Sequence, residues 1–119
     1  SYLHIEKWRY NVNMKLNEKL FKALANKTRL EILQWLKDPE NEIHVPTCIP
    51  ISEETKDYGG VCVSDLVNQS GLAQSTISSY LNMLVEADLL IAVRHGKWTF
   101  YRRNEAAIQQ LGELIKEEL

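Results

Sequence analysis

Residues 70–85 read SGLAQSTISSYLNMLV, and this stretch decides the fold. Gly71 favours a turn because a glycine reaches positive φ at no steric cost. The apolar side chains that follow have the spacing of a helix with one buried face: Ile77, Leu81, Leu84 and Val85. The opposite face carries short uncharged polar groups: Gln74, Ser75, Ser78, Ser79 and Asn82. The stretch therefore predicts the turn and second helix of a helix-turn-helix, with donors and acceptors suited to base edges. Taken alone, a Ser-rich helix facing solvent is the alternative.

The flanking segments favour the first interpretation. Upstream, the apolar pattern predicts helices over residues 14–25 and 28–37, the second with Thr28 as its N-cap. A short helix over residues 61–68, with Ser64 as its N-cap, precedes the turn. Downstream, residues 90–94 and 97–103 predict two strands joined through His95-Gly96, and Asn104 begins a last helix.

The segment between these helices, residues 39–60, is unusual. Pro39, Pro46 and Pro50 exclude a continuous helix through it. Partial alternation of apolar and polar residues predicts a short edge strand near residues 43–45. A loop of this length inside a compact domain is uncommon, so we expect an inserted loop that packs on the domain.

Composition limits the class of protein. A chain of 119 residues predicts one domain, and no apolar run approaches membrane-spanning length. Two Cys are too few for a disulfide scaffold, which favours a reducing, cytoplasmic setting. The net charge of −2 is unevenly distributed, since residues 39–69 carry −5 and residues 70–103 carry +2. The predicted helix-turn-helix and hairpin are thus basic, as a nucleic-acid surface requires.

The order of these elements is that of a winged helix, a mainly α fold with a small β-hairpin (α+β). At this point the sequence resembles the ArsR/SmtB family of small bacterial winged-helix repressors. Three stretches carry the resemblance: residues 20–33, residues 62–84 from CVSDL to the predicted second helix, and residues 93–101 of the hairpin. The resemblance implies a homodimer in which the first and last helices form the interface. It also implies binding to an inverted repeat in operator DNA and release by an effector.

The resemblance and the polar helix face together define an expected DNA-binding set. Its members on the predicted second helix, the recognition helix, are Gln74, Ser75, Thr76, Ser78, Ser79 and Asn82. Its members in the predicted hairpin over residues 90–103, the wing, are Arg94, His95 and Lys97. The expected organisation is a single winged helix-turn-helix domain over residues 1–119. It has an N-terminal extension (1–12), the inserted loop (39–60) and a dimerisation helix (104–119).

The sequence departs from the family's metal sites. Where many members have a Cys-x-Cys pair, this chain has Cys62 followed by Ser64, and its last helix has neither His nor Asp. We therefore expect no metal and no cofactor. Three interpretations of the remaining thiols stay open: inert packed groups, a redox switch in which Cys48 and Cys62 form a disulfide, or a metal site that adds His44. Cys48 and Cys62 are the candidate sensor residues.

Other functions have little support. The chain has no Gly-rich phosphate loop and no His-Glu-x-x-His pair, and its three His are isolated in sequence, so no enzyme is expected. Trp8, Trp35 and Trp98 are expected in the core or an interface. The leading prediction is a cytoplasmic bacterial DNA-binding repressor. The alternative is a winged-helix protein-interaction module without DNA binding, which the acidic segment 39–69 and the apolar residues 1–12 favour.

Overall fold

The computed structural model describes residues 14–119, so the expectations for residues 1–12 and Trp8 lie outside the described residues. The first half of the described chain is helical: α1 Glu18–Leu24, α2 Lys27–Lys37, α3 Pro39–Glu42 and α4 Ile51–Asp57. The second half contains β1 Val61–Cys62, α5 Val63–Ser70, α6 Gln74–Glu86, β2 Leu90–His95, β3 Trp98–Arg103 and α7 Glu105–Glu118. This is the mainly α chain with a small sheet that the sequence predicts.

One core joins the helices and the sheet. The side chains of Leu66 on α5 and of Ile77, Leu81 and Leu84 on α6 are fully buried, together with Ile32 on α2. The apolar stripe of the predicted second helix is thus its buried face. The burial of these five large aliphatic side chains stabilises the fold, because each contributes about 1.5–3 kcal/mol when fully removed from water.

The sheet has three antiparallel strands in the order β1-β3-β2. The β2–β3 hairpin runs from the Leu90↔Arg103 pair to the His95↔Trp98 pair at its tip. The turn consists of Gly96 and Lys97, one residue later than predicted, and Gly96 has a φ of +61°. Two-residue hairpin turns need positive φ, which glycine adopts without strain. The β1 strand then adds to the outer side of β3 through Val61↔Tyr101 and Cys62↔Phe100.

Helix starts follow the available capping side chains, and two predicted caps are wrong. The N-cap of α2 is Asn26, whose side chain accepts a hydrogen bond from the Arg29 N–H, so Thr28 lies inside the helix. Asn is at least as good a cap as Thr, and it comes first. Helix α5 begins at Val63, directly after β1, so the predicted cap Ser64 lies in its first turn. The first predicted helix begins at Glu18 after the cap Asn17, and the last begins as predicted after Asn104.

The inserted segment is more regular than the sequence predicts. It contains α3 and α4, and the predicted edge strand at residues 43–45 is wrong. The Gln69 side chain replaces strand pairing there: its Oε1 accepts from the His44 N–H at 3.0 Å, and its Nε2 donates to the Glu42 carbonyl at 3.0 Å. Ile43, which lies between these two residues in the chain, is buried. The segment therefore packs on the domain, as expected, but through a helix–helix arrangement.

Candidate DNA-binding surface

The recognition helix is α6, and the preceding turn fixes its start. Gly71 ends α5 with a φ of +70°, and the Ser70 hydroxyl donates to the Val67 carbonyl at 2.8 Å. The same hydroxyl oxygen accepts from the Leu72 N–H at 3.0 Å. Ala73 precedes α6 without a side-chain cap, as its identity predicts. The N–H groups at the start of α6 therefore have no side-chain cap, and such a helix end favours an anion such as a phosphate.

The expected base-reading side chains share the outer face of α6. Gln74, Ser75, Ser79 and Asn82 are exposed, whereas Thr76 and Ser78 are half-buried. The buried residues Ile77, Leu81 and Leu84 hold the opposite face on the core. The structure thus brings the six predicted helix residues onto one accessible surface without a charged member.

The wing presents the expected cations at its tip. Arg94 and Lys97 are exposed on either side of Gly96, and the Arg94 Nε donates to the Gly96 carbonyl at 3.1 Å. Trp98 is 56% exposed beside them, so it lies outside the core, and the alternative that it belongs to an interface stays a prediction. A solvated Arg and Lys next to an exposed aromatic ring suit contact with the phosphate backbone.

His95 has a different setting from its neighbours. Its Nε2 lies 3.1 Å from the Tyr58 carbonyl oxygen, and its ring contacts the Tyr58 ring edge-on at 5.4 Å. The Tyr58 ring in turn stacks on Phe100 of β3 at 4.9 Å. His95 therefore connects the wing to Tyr58, the residue that follows α4, and its predicted DNA contact stays a prediction. The sequence gives no signal for this contact, because the partners are 37 residues apart.

A buried pair of carboxyl groups is the polar feature that sequence reasoning missed. Glu54 of α4 and Asp65 of α5 are each 1% exposed, and Glu54 Oε1 accepts from the Cys62 N–H at 3.0 Å. Burial is the largest of the effects that raise the pKa of Glu54 to about 8; the nearby Asp65 carboxyl group also raises it, and the Cys62 N–H lowers it. One signal was present in the sequence: Glu54 lies at helical spacing between Ile51 and Tyr58, which form an apolar face.

The candidate sensor residues have unlike surroundings. Cys48 is exposed and Cys62 is buried, and both are free thiols. The Cys62 Sγ lies 3.3 Å from the Ser64 Oγ. Among residues 14–119, no three His, Cys, Asp or Glu side chains form a group that could hold a metal ion. His44, Cys48 and Cys62 are therefore not brought together as a metal site, and their sensing role stays a prediction.

Comparisons with known proteins agree with this geometry. The sequence model of "Bacterial regulatory protein, arsR family" matches residues 59–92, which include α5, the turn and α6. The uncharacterized HTH-type transcriptional regulator YbzH of Bacillus subtilis is 42% identical over 100 residues, covering 84% of this chain and 95% of the relative. The arsenical resistance operon repressor of the same organism is 30% identical, covering 86% of this chain and 76% of the repressor.

A solved structure has the same fold. The homodimeric winged helix-turn-helix DNA-binding domain Mb0332 of Mycobacterium bovis, determined by NMR, superposes with a TM-score of 0.55. It is 26% identical, and the match covers 82% of this chain and 72% of that domain. The fold and the surface of α6 and the wing define a DNA-binding transcriptional regulator. The chain belongs to the ArsR family of bacterial regulatory proteins, a class of regulators rather than enzymes. Within residues 14–119, no helix is long and apolar enough to cross a membrane.

Proposed function

We propose that this protein is a transcriptional repressor that binds an inverted-repeat operator as a homodimer in the bacterial cytoplasm and catalyses no reaction. One observation carries the proposal: the uncharged polar face of α6 lies on the same domain as the exposed cations of the wing. The arsenical resistance operon repressor to which the chain is 30% identical supports the repressor role. The homodimeric Mb0332 domain supports the dimer.

In this proposal the two parts of the surface have separate tasks. The α6 residues Gln74, Ser75, Thr76, Ser78, Ser79 and Asn82 read base edges in the major groove. Arg94 and Lys97 bind phosphate, and His95 positions the wing through Tyr58 while its exposed edge faces the DNA. The domain organisation proposed is one winged helix-turn-helix with an inserted segment (39–60) and a dimerisation helix (104–119). The release signal is an effector or oxidation, with Cys48 and Cys62 as the candidate sensor residues.

The test begins with selection of DNA sites from a random duplex pool by the purified protein. We expect two half-sites in inverted orientation with their centres about 10 base pairs apart, since a dimer places its recognition helices one DNA turn apart. A single half-site, or no enrichment, would contradict the dimer–operator proposal.

Variants then distinguish the residues that bind phosphate from the residues that recognise the base sequence. Arg94→Ala and Lys97→Ala should each weaken binding to any DNA and lower the salt slope by about one. Gln74→Ala and Ser78→Ala should instead flatten the preference between the selected site and a scrambled duplex, by about 1–3 kcal/mol for a bidentate contact. The exposed Lys56 on α4 gives a control, because Lys56→Ala removes one positive charge to which the proposal assigns no DNA contact. If Arg94→Ala and Lys97→Ala have the same DNA affinity and salt slope as Lys56→Ala, the proposed contact between the wing and DNA is excluded.

A further inference from the structure

The Glu54–Asp65 pair lacks the hydrogen-bond donors that two buried carboxylates require. Glu54 Oε1 accepts from the Cys62 N–H. Glu54 Oε2 and both oxygens of Asp65 are buried without a partner within residues 14–119. Burying a charged carboxylate without donors is strongly unfavourable, and two adjacent ones repel each other. A carboxyl proton supplies the missing donor, because it allows one group to donate to the other.

Neighbouring charged groups do not take the place of that proton. On α4, Glu53, Lys56 and Asp57 are exposed, and the Cys62 thiol of β1 contacts Ser64. On the wing, His95 contacts the Tyr58 carbonyl, and Arg102 of β3 donates to the Gly59 carbonyl at 3.4 Å. Tyr101 is half-buried on β3, and Arg103 forms an ion pair with Glu105 at 2.9 Å. Among the described residues, the charge that acts on Glu54 is that of Asp65.

We propose that Glu54 and Asp65 share one proton, and that loss of this proton at mildly alkaline pH loosens α4 from the start of α5 and lowers DNA affinity. The part of this proposal that concerns DNA rests on the proposed function. Without the proton, two buried carboxylates repel each other, and separation of the two helices lowers this repulsion.

The position of α4 explains why DNA binding responds. Glu54 connects α4 to β1 and α5, the first helix of the helix-turn-helix. Tyr58, one residue beyond α4, stacks on Phe100 and contacts His95 at the wing tip. Movement of α4 therefore reaches both parts of the DNA-binding surface, the helix-turn-helix on one side and the wing on the other.

The direction of the pH effect follows from linkage. The pKa of Glu54 is raised from its ordinary value of 4.5 to about 8, because burial and Asp65 disfavour its charged form. The folded state thus holds a proton that the unfolded state has released above pH 4.5. Stability that depends on this proton is complete below pH 4.5 and declines as the pH rises through about 8.

The first experiment measures the proton directly in the wild-type protein. Carbon-detected NMR of the side-chain carboxyl groups should show Glu54 titrating near pH 8. The melting temperature should fall by about 5 °C between pH 6.5 and pH 8.5. Ionisation of the Glu54 carboxyl group below pH 6 would contradict the proposal of a shared proton, and this result does not depend on whether the protein binds DNA.

The second experiment uses matched variants. Glu54→Gln keeps an acceptor for the Cys62 N–H and replaces the shared proton with an amide donor, so its melting temperature should be level over the same pH range. Glu53→Gln removes one exposed charge from the same helix and should keep the wild-type slope. A Glu54→Gln slope equal to that of Glu53→Gln would overturn the proposal.

The third experiment measures affinity for the selected DNA site at constant ionic strength. If the protonated form is the binding-competent one, affinity should fall about fourfold between pH 6.5 and pH 8.5 for wild type and Glu53→Gln, and remain constant for Glu54→Gln. Equal pH dependence in all three proteins would overturn the link to DNA. Failure to bind DNA at any pH would instead contradict the proposed function, and the NMR and melting experiments would still decide the shared proton.

Discussion

Arg29 connects three helices through one buried guanidinium. It is 7% exposed, its Nε donates to the Ala23 carbonyl at 2.7 Å and its Nη2 donates to the Lys22 carbonyl at 3.0 Å. The same group lies 5.0 Å from the centre of the Tyr80 ring on α6. The last carbonyls of a helix have no intrahelical partner, so Arg29 caps α1 from α2 and also contacts the recognition helix.

Arg29→Ala should lower the free energy of unfolding by about 2–3 kcal/mol, because it removes the buried donor to the Ala23 carbonyl, one of the two donors to the Lys22 carbonyl, and the contact with Tyr80. Arg29→Lys should recover less than half of this loss, since an ammonium cannot reproduce the planar fork. Urea unfolding gives the measurement. Lys27→Ala, an exposed change at the start of the same helix, is the control and should lie within about 0.5 kcal/mol of wild type. Similar losses in Arg29→Ala and Lys27→Ala would show that the buried contacts do not stabilise the fold.

Gly60 allows the backbones of the inserted segment and β3 to meet. A Cβ at Gly60 would lie 2.6 Å from the carbonyl carbon of Tyr101, whereas one at Gly112 on α7 would meet nothing within 4 Å. We expect Gly60→Ala to reduce the free energy of unfolding by about 1–3 kcal/mol through overpacking. Gly112→Ala should raise it by about 0.5–1 kcal/mol through helix propensity. Thermal unfolding of the two variants makes the comparison, and a neutral Gly60→Ala would contradict the close approach.

Among the elements, α4 and the wing depend on each other through Tyr58. Tyr58→Ala removes the ring that stacks on Phe100 and contacts His95, and it substitutes none of the DNA-facing residues themselves. A wing that is less ordered before binding must be ordered on binding, at a cost of about 0.5–1.5 kcal/mol per side chain. Operator affinity should therefore fall about twofold to tenfold, and the amides at the hairpin tip should exchange faster with solvent. Lys56→Ala should change neither property. Equal operator affinity and equal amide exchange in Tyr58→Ala and Lys56→Ala would show that α4 does not order the wing.

The elements that were predicted correctly are those whose signals are local. The turn at Gly71, the apolar stripe of α6 and the strong β formers of β3 each act within a few residues. In the inserted segment the prolines correctly predict that no continuous helix runs through residues 39–60, but the sequence analysis does not predict the short helices α3 and α4. Pro39 in fact occupies the first turn of α3, and Pro50 directly precedes α4. A proline fits the start of a helix, where its missing N–H has no partner to lose.

The parts of the site that escaped prediction depend on distant contacts. The α6 face could be assigned from spacing, because its six polar residues lie on one helix. The Glu54–Asp65 pair and the His95–Tyr58 contact join residues 11 and 37 positions apart across separate elements. Periodicity in a single sequence shows that Glu54 lies on an apolar face. It does not show which group that face meets, since tertiary packing decides it.

At the scale of the whole molecule, the first and last helices leave apolar side chains uncovered. Phe21 on α1 is 40% exposed, and Ile115 on α7 and the terminal Leu119 are 39% and 84% exposed. These are the two helices that the family resemblance assigns to the dimer interface. The Mb0332 domain, which shares the fold, is homodimeric. Burial of these side chains against a second copy would remove them from water.

Ile115→Glu should therefore shift the protein toward the monomer, because a dimer would bury an unpaired carboxylate. Affinity for the full inverted repeat should fall at least about tenfold, whereas affinity for one half-site should change little, since linkage between the two half-sites is lost. Sedimentation equilibrium and DNA titration measure the two effects. Glu113→Gln, an exposed change on the same helix, is the control. A stable Ile115→Glu dimer would exclude this face as the interface.

The two-residue strand β1 has a consequence for the order in which the chain folds. The β2–β3 hairpin pairs neighbours in sequence, but β1 joins β3 through Val61 and Tyr101, which are 40 residues apart. Between them lie α5, α6 and β2, so this pairing closes a loop that contains the whole recognition unit. Loop closure costs entropy that the intervening structure must first offset, and contacts of long sequence separation form slowly. The β2–β3 hairpin can thus form early. The pairing of β1 with β3 forms later, after the helix-turn-helix between these two strands has collapsed.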